Sequence, residues 1–119
     1  MSDYKEIETT IFNYFNGLKR SDRVQLENAF VKEGGHMKGF LKNETGSNSL
    51  TVRSMSEVID EWSAREPNPD LAGTILSLEI YSKKAATVLF DFNGIYIDSF
   101  QLAKTDEGWR IVNKYYIDQ

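Results

Sequence analysis

Residues 74–117, TILSLEIYSKKAATVLFDFNGIYIDSFQLAKTDEGWRIVNKYYI, decide the fold. β-Branched and aromatic side chains gather there in four runs, at 74–82, 85–92, 95–104 and 109–117, and such residues suit the pleated surface of a sheet. Lys83-Lys84, Asn93-Gly94 and Thr105-Asp106-Glu107-Gly108 separate the runs. Each connection is short enough for a hairpin, so the spacing predicts a four-stranded antiparallel meander.

Upstream the pattern is helical. Ile7, Ile11, Phe15 and Leu18 recur at the period of one helix face, which predicts a helix over 4–19 with Asp3 and Glu6 as a capping box. Ser21 is positioned to cap a short second helix carrying Val24, Leu26, Ala29 and Phe30, broken by Gly34-Gly35. Residues 36–42 read as a strand, "NETGSNS" at 43–49 as a turn, and 50–53 as another extended piece. Ser54 and Glu57 then open a third helix with Met55, Val58, Ile59 and Trp62 on its apolar face, ended by Pro67. Asp60, Glu61 and Glu66 fall on its solvated side. Helices first and hairpin strands last make an α+β fold over a single domain, residues 1–119, with helices on one face of the sheet.

Composition narrows the function classes. The chain has 119 residues, no cysteine, one histidine and a formal charge of −4. Disulfide frameworks and clustered zinc ligands are therefore excluded. Lys and Arg are scattered rather than gathered into a stripe, so nucleic acid is not an expected partner. The first twenty residues are interrupted by charge, and the longest uncharged run, Thr9 to Leu18, is ten residues. This leaves no signal peptide and no membrane span, and predicts a soluble, cytoplasmic protein. Nothing calls for a metal or cofactor.

The strand faces carry the functional expectations. Simple alternation places Trp109, Ile111, Asn113 and Tyr115 toward the helices, with Arg110, Val112 and Lys114 outward. A four-residue loop sets Leu102 opposite Ile111, Phe100 opposite Asn113 and Asp98 opposite Tyr115. A two-residue Asn93-Gly94 turn would pair Asp98 with Leu89, whereas a three-residue loop with a bulge pairs it with Phe90; the second is preferred, because it keeps Val88, Phe90 and Phe92 with Phe100 and Leu102. Leu89, Ile95 and Ile97 then remain on the outer face, which predicts a second layer there, supplied by a homodimer.

With this order of elements the chain resembles the nuclear-transport-factor-2-like superfamily, and within it the lumazine-binding-like subgroup, related to SnoaL-like proteins. The resemblance rests on Ala86 and Val88, on Tyr96 and Asp98, on Leu102 and Lys104, and on the Trp109–Lys114 ending WRIVNK. It implies a cone-shaped domain in which three N-terminal helices pack on a strongly curved, mostly antiparallel sheet. It also implies a pocket at the wide end, usually in a dimer. Ketosteroid isomerases, polyketide cyclases, dehydratases and epoxide hydrolases share the architecture, so fold alone does not fix the chemistry.

Asp98 is the sharpest candidate, because a carboxylate on the core side of a strand is desolvated toward the pKa of a general acid or base. Its plainer role is a structural anchor satisfied by Tyr115 or Asn113. His36 alone has an ordinary pKa near neutrality, and the resemblance places a catalytic base in its region. Tyr14 lies on the helix where isomerase-like relatives keep an oxyanion-donating tyrosine. Trp62, Phe15, Phe90, Tyr96 and Phe100, with Asn113 and Tyr115, are the expected ligand contacts in an aromatic interior. One histidine and no second inward carboxylate favour a pocket protein that binds a small, largely apolar or aromatic molecule. A lyase, isomerase or cyclase using Asp98, His36 and Tyr14, and a dimeric interaction module with a vestigial pocket, are the alternatives.

Overall fold

The structure, a computed structural model, describes residues 2–119. Helix α1 (Asp3–Arg20) buries Ile7, Thr10, Ile11, Tyr14 and Phe15 along one face, as its apolar spacing dictates. Its cap is Ser2, whose hydroxyl accepts from the Lys5 amide at 3.2 Å, rather than an Asp3–Glu6 box. The Asp3 carboxylate is drawn elsewhere: it accepts from the Trp109 indole at 3.0 Å and the Lys104 ammonium at 2.7 Å. Helix α2 (Arg23–Glu27) is capped by Asp22. Ser21, the expected cap, instead ends α1 in the left-handed region at φ 55°, because α1 runs to Arg20 and the chain must reverse there.

The strands are β1 (His36–Lys42), β2 (Asn48–Ser54), β3 (Gly73–Ser82), β4 (Ala85–Phe92), β5 (Tyr96–Thr105) and β6 (Gly108–Asp118), with α3 (Met55–Ser63) between β2 and β3. They form one sheet in the order β2-β1-β6-β5-β4-β3. Every neighbouring pair is antiparallel except β1 and β6. The three helices cover one face of this curved α+β cone. Between them lies a core that includes Leu26, Val58, Ile59, Phe90, Phe100, Trp109 and Ile111. No helix among the described residues is long and apolar enough to cross a membrane.

The β4–β5 hairpin pairs Phe90 with Asp98 and Phe92 with Tyr96, the register expected for a three-residue connection, and Asn93 and Gly94 supply its positive φ angles. Leu102 faces Ile111 as expected, but the β5–β6 ladder then slips by one residue: Gln101 faces Asn113, Phe100 faces Lys114 and Asp98 faces Tyr116. Val112 is the inserted residue of a β-bulge. The other edge of β6 explains the position. Ile111 exchanges backbone hydrogen bonds with Ala29 and Val31 at 2.8 and 2.9 Å, whereas from Asn113 onward the same edge pairs with β1. The bulge sits at this change of partner and turns over every later side chain of β6.

Candidate functional site

Asp98 is 1% exposed and lies between Phe90 and Tyr116 on the helix-facing side of the sheet. Its Oδ2 accepts a 2.8 Å hydrogen bond from the Tyr14 hydroxyl, so α1 and β5 are joined at the centre of the core. Its Oδ1 lies 3.4 Å from Lys114 Nζ, in a geometry that leaves Oδ1 without a hydrogen bond. Burial pushes the Asp98 carboxyl above the usual carboxylate range, against the pull of Lys114 and Tyr14. Burial likewise lowers the Lys114 ammonium, which Asp98 partly restores. Desolvation, followed by the Asp98 charge, raises the Tyr14 phenol well above its ordinary value, so Tyr14 stays protonated and donating.

Lys114 sits among rings. Its Nζ is 4.1 Å from the centroid of Tyr116, 5.5 Å from Tyr14 and 5.6 Å from Trp62, within cation–π range of all three. These groups border a cavity of about 180 Å³ whose walls include Leu18 and Tyr14 of α1, Trp62 of α3, Met37 of β1, and Phe92 and Tyr96 of the β4–β5 hairpin. Arg53, Glu61 and Arg65 also line it. They form a more exposed ionic cluster, with Glu61 pairing Arg53 at 2.5 Å and Arg65 on its other oxygen. Hydrogen bonding from Arg53 leads in holding the Glu61 carboxyl below its usual value.

Four expected residues, Asp98, Tyr14, Trp62 and Tyr96, meet at this cavity. Phe15, Phe90 and Phe100 pack behind it in the core. Asn113 and Tyr115 are corrected to the outer face, because the Val112 bulge reverses them; Asn113 there donates to Gln101 at 3.2 Å. His36 is also on the outer face, opposite Asn113, exposed and with Nδ1 3.0 Å from the Gly34 carbonyl. It is remote from the cavity because β1 alternates and turns Met37 inward instead. Lys114, expected outward, is the cation that answers Asp98. Glu61, expected in solvent, reaches the cavity. The signal for Lys114 was Asp98 itself: a buried carboxylate needs a cation, and Lys114 is one slip of register away.

Over residues 2–117 the sequence matches the family described as "Putative lumazine-binding". The chain belongs to that family. Solved structures share the fold. An NTF2-like protein of unknown function from Shewanella baltica is similar at 23% identity and a TM-score of 0.79, over 98% of this chain and 93% of that one. A ketosteroid isomerase-like protein from Erwinia carotovora atroseptica is similar at 15% identity and a TM-score of 0.62, covering 94% and 92%. The association domain of C. elegans CaMKII is similar at 12% identity and a TM-score of 0.67, covering 95% and 93%. No curated protein matches the chain. The nuclear-transport-factor-2-like architecture is thereby shown.

In this lumazine-binding-like domain, Lys114→Met leaves Asp98 as a buried charge with no counter-ion, a defect that costs about 3–5 kcal/mol. A carboxyl held above its unfolded pKa keeps its proton longer folded than unfolded, so stability falls as pH rises through the folded value. The loss in Lys114→Met is therefore larger at about pH 8 than at about pH 5, and adding Asp98→Asn recovers most of it. Urea denaturation at the two pH values checks this; a loss independent of pH and unrelieved by Asp98→Asn contradicts it.

Proposed function

We propose that this chain is a small-molecule-binding pocket protein whose ligand is compact and largely apolar or aromatic, with a polar edge. One observation carries the reading: a cavity of about 180 Å³ walled by Tyr14, Trp62, Phe92, Tyr96 and Tyr116, with the buried Asp98 Oδ1, ion-paired to Lys114 but without a hydrogen bond, at its border. Apolar walls with a few convergent polar groups are the usual form of a ligand site. A ring N–H on the ligand satisfies Oδ1, and the walls stack on its faces. The family's description supports a fused heterocycle of the lumazine type, so lumazine is the first probe. Binding raises Tm with the logarithm of ligand concentration, quenches Trp62 fluorescence, and is lost in Leu18→Trp, which fills the cavity. If neither lumazine nor one- and two-ring aromatics shift Tm, the reading fails.

The Tyr14–Asp98 hydrogen bond of 2.8 Å favours a second reading, a lyase, isomerase or cyclase. A carboxyl with a raised pKa beside a protonated phenol has the parts of a general base and an oxyanion donor. His36 takes no part, since it faces away. Its signature is exchange of an acidic C–H of a bound ketone with solvent deuterium, followed by NMR and abolished in Asp98→Asn. A ketone that binds without exchange argues against it.

The outer sheet face supports self-association. Phe40, Leu50, Val52, Leu89 and Ile117 are each at least 36% exposed there, with Ile95 at the adjoining β4–β5 turn, and a second copy of the chain covers them when two sheets pack face to face. Similarity to an association domain agrees with this assembly. The expected mass in sedimentation is that of a dimer at micromolar concentration, and Ile97→Lys shifts it to monomer; a monomeric wild type removes the proposal.

A further inference from the structure

Lys114 is the one lysine in the cavity lining, and neither pocket binding nor acid–base chemistry at Asp98 requires an amine there. Its side chain is 6% exposed, and its partners are few: Asp98 Oδ1 at 3.4 Å, the Met37 sulfur at 3.6 Å and the three aromatic faces. A lysine desolvated in an apolar cavity, with a carboxylate at hand to take its proton, is the arrangement of an amine nucleophile. Exposed lysines such as Lys83 and Lys84 on the β3–β4 turn have no such surroundings.

We infer that Lys114 captures the carbonyl carbon of a small aromatic aldehyde or ketone as a Schiff base, with Asp98 as its proton carrier. The inference rests on the pocket reading above and adds a covalent step to it. In that step the ammonium first gives one proton to Asp98 Oδ1. The freed nitrogen lone pair attacks the carbonyl carbon, and the carbonyl π pair moves to oxygen, which takes a second proton from the nitrogen to give a carbinolamine. Protonated Asp98 then returns its proton to the hydroxyl, the C–O bond breaks, and water leaves. The nitrogen pair closes a protonated imine. One ammonium and one carbonyl become one iminium and one water, no electrons are gained or lost, and Asp98 ends as the carboxylate beside the new cation. Tyr14, hydrogen-bonded to Oδ2, holds the carboxylate in place throughout. Tyr116, Tyr14 and Trp62, which face the ammonium, face the iminium equally.

The titratable and charged groups nearest this amine come from several elements: Tyr14 from α1, Glu61 from α3, Arg53 from β2, Tyr96 and Asp98 from β5, Tyr116 from β6, and Arg65 beyond α3. Among the described residues Asp98 is the carboxylate within reach of Nζ; the Met37 sulfur accepts a weak hydrogen bond from it and cannot hold its proton. The Glu61 carboxylate is engaged by Arg53 and Arg65.

The test uses the wild-type chain with benzaldehyde as the probe and cyanoborohydride to trap the imine, read by intact mass and peptide mapping. The expected result is one benzyl group per chain, on Lys114, formed before Lys83 or Lys84 is modified. Asp98→Asn slows the labelling about tenfold or more, since the proton carrier is gone, while Glu107→Gln, on the exposed β5–β6 turn, leaves it unchanged. Mapping the wild type keeps the experiment decisive even if Lys114→Met does not fold. Benzaldehyde that raises Tm yet leaves Lys114 unmodified overturns the inference and spares the pocket reading. Benzaldehyde that neither raises Tm nor labels Lys114 overturns both for this class of ligand. Labelling spread over the exposed lysines, with Lys114 no faster than they are, overturns the inference as well.

Discussion

A carboxylate at the middle of a protein core must be met by charge and hydrogen bonds, and Asp98 draws those partners from both ends of the chain. Tyr14 approaches it from α1 and Lys114 from β6, so the contact that satisfies the charge also seats the first helix on the last strands. A second polar anchor lies along the N-terminal half of the helix, where Asp3 accepts a hydrogen bond from the Trp109 indole N–H and Thr10 donates to the Trp109 carbonyl at 2.9 Å. Between these anchors α1 is pinned along its length. The cavity opens where the helix face ends and the curved sheet continues beyond it.

The shape of that cavity depends on two places where only a missing side chain allows close approach. A Cβ on Gly39 would lie 2.7 Å from the Tyr116 ring, so glycine lets that ring lie against β1 and over Lys114. A Cβ on Gly73 would lie 2.3 Å from Phe90 and 2.9 Å from Phe15, which would disrupt the aromatic packing behind the pocket. Polar groups are then few and unevenly placed. A tightly buried triad of Tyr14, Asp98 and Lys114 lies within, while Arg53 and Arg65 share the Glu61 carboxylate nearer solvent and leave one net positive charge there.

Much of this was legible in the sequence because periodicity reports burial. The apolar spacing of α1 and α3 and the four strand runs each have one low-energy reading, and of the two registers open to the Asn93-Gly94 connection the structure has the one that keeps the larger apolar set on one face, with Asp98 opposite Phe90. Local pattern failed where a distant segment intervened. Ala29 and Val31 occupy the edge of β6 beside Ile111, β1 takes over after it, and the resulting bulge at Val112 exchanges Asn113 and Tyr115 for Lys114 and Tyr116. No alternation rule contains that information, since it depends on pairing between residues some eighty positions apart. Ser21 and Asp22 erred for a simpler reason. Both are good caps, and which one serves is fixed by where the preceding helix stops.

The position of β6 in the sheet has a consequence for how the molecule is assembled. β1 and β2 can close as one local hairpin, and β3, β4 and β5 as a local meander, but in the order β2-β1-β6-β5-β4-β3 the two groups touch only through β6. On the ribosome that strand follows all the others, so the parallel ladder with β1 and the encounter of Lys114 with Asp98 wait until it has emerged. Until then Asp98 is a carboxylate without its cation, and the meander presents an unpaired edge on β5. Joining the halves demands closure of a long loop, which makes a slow, late nucleation step and a window of exposure to aggregation. Early contacts among β3, β4 and β5 shorten that window, and the charge on Asp98 disfavours burying the unfinished face in a wrong partner.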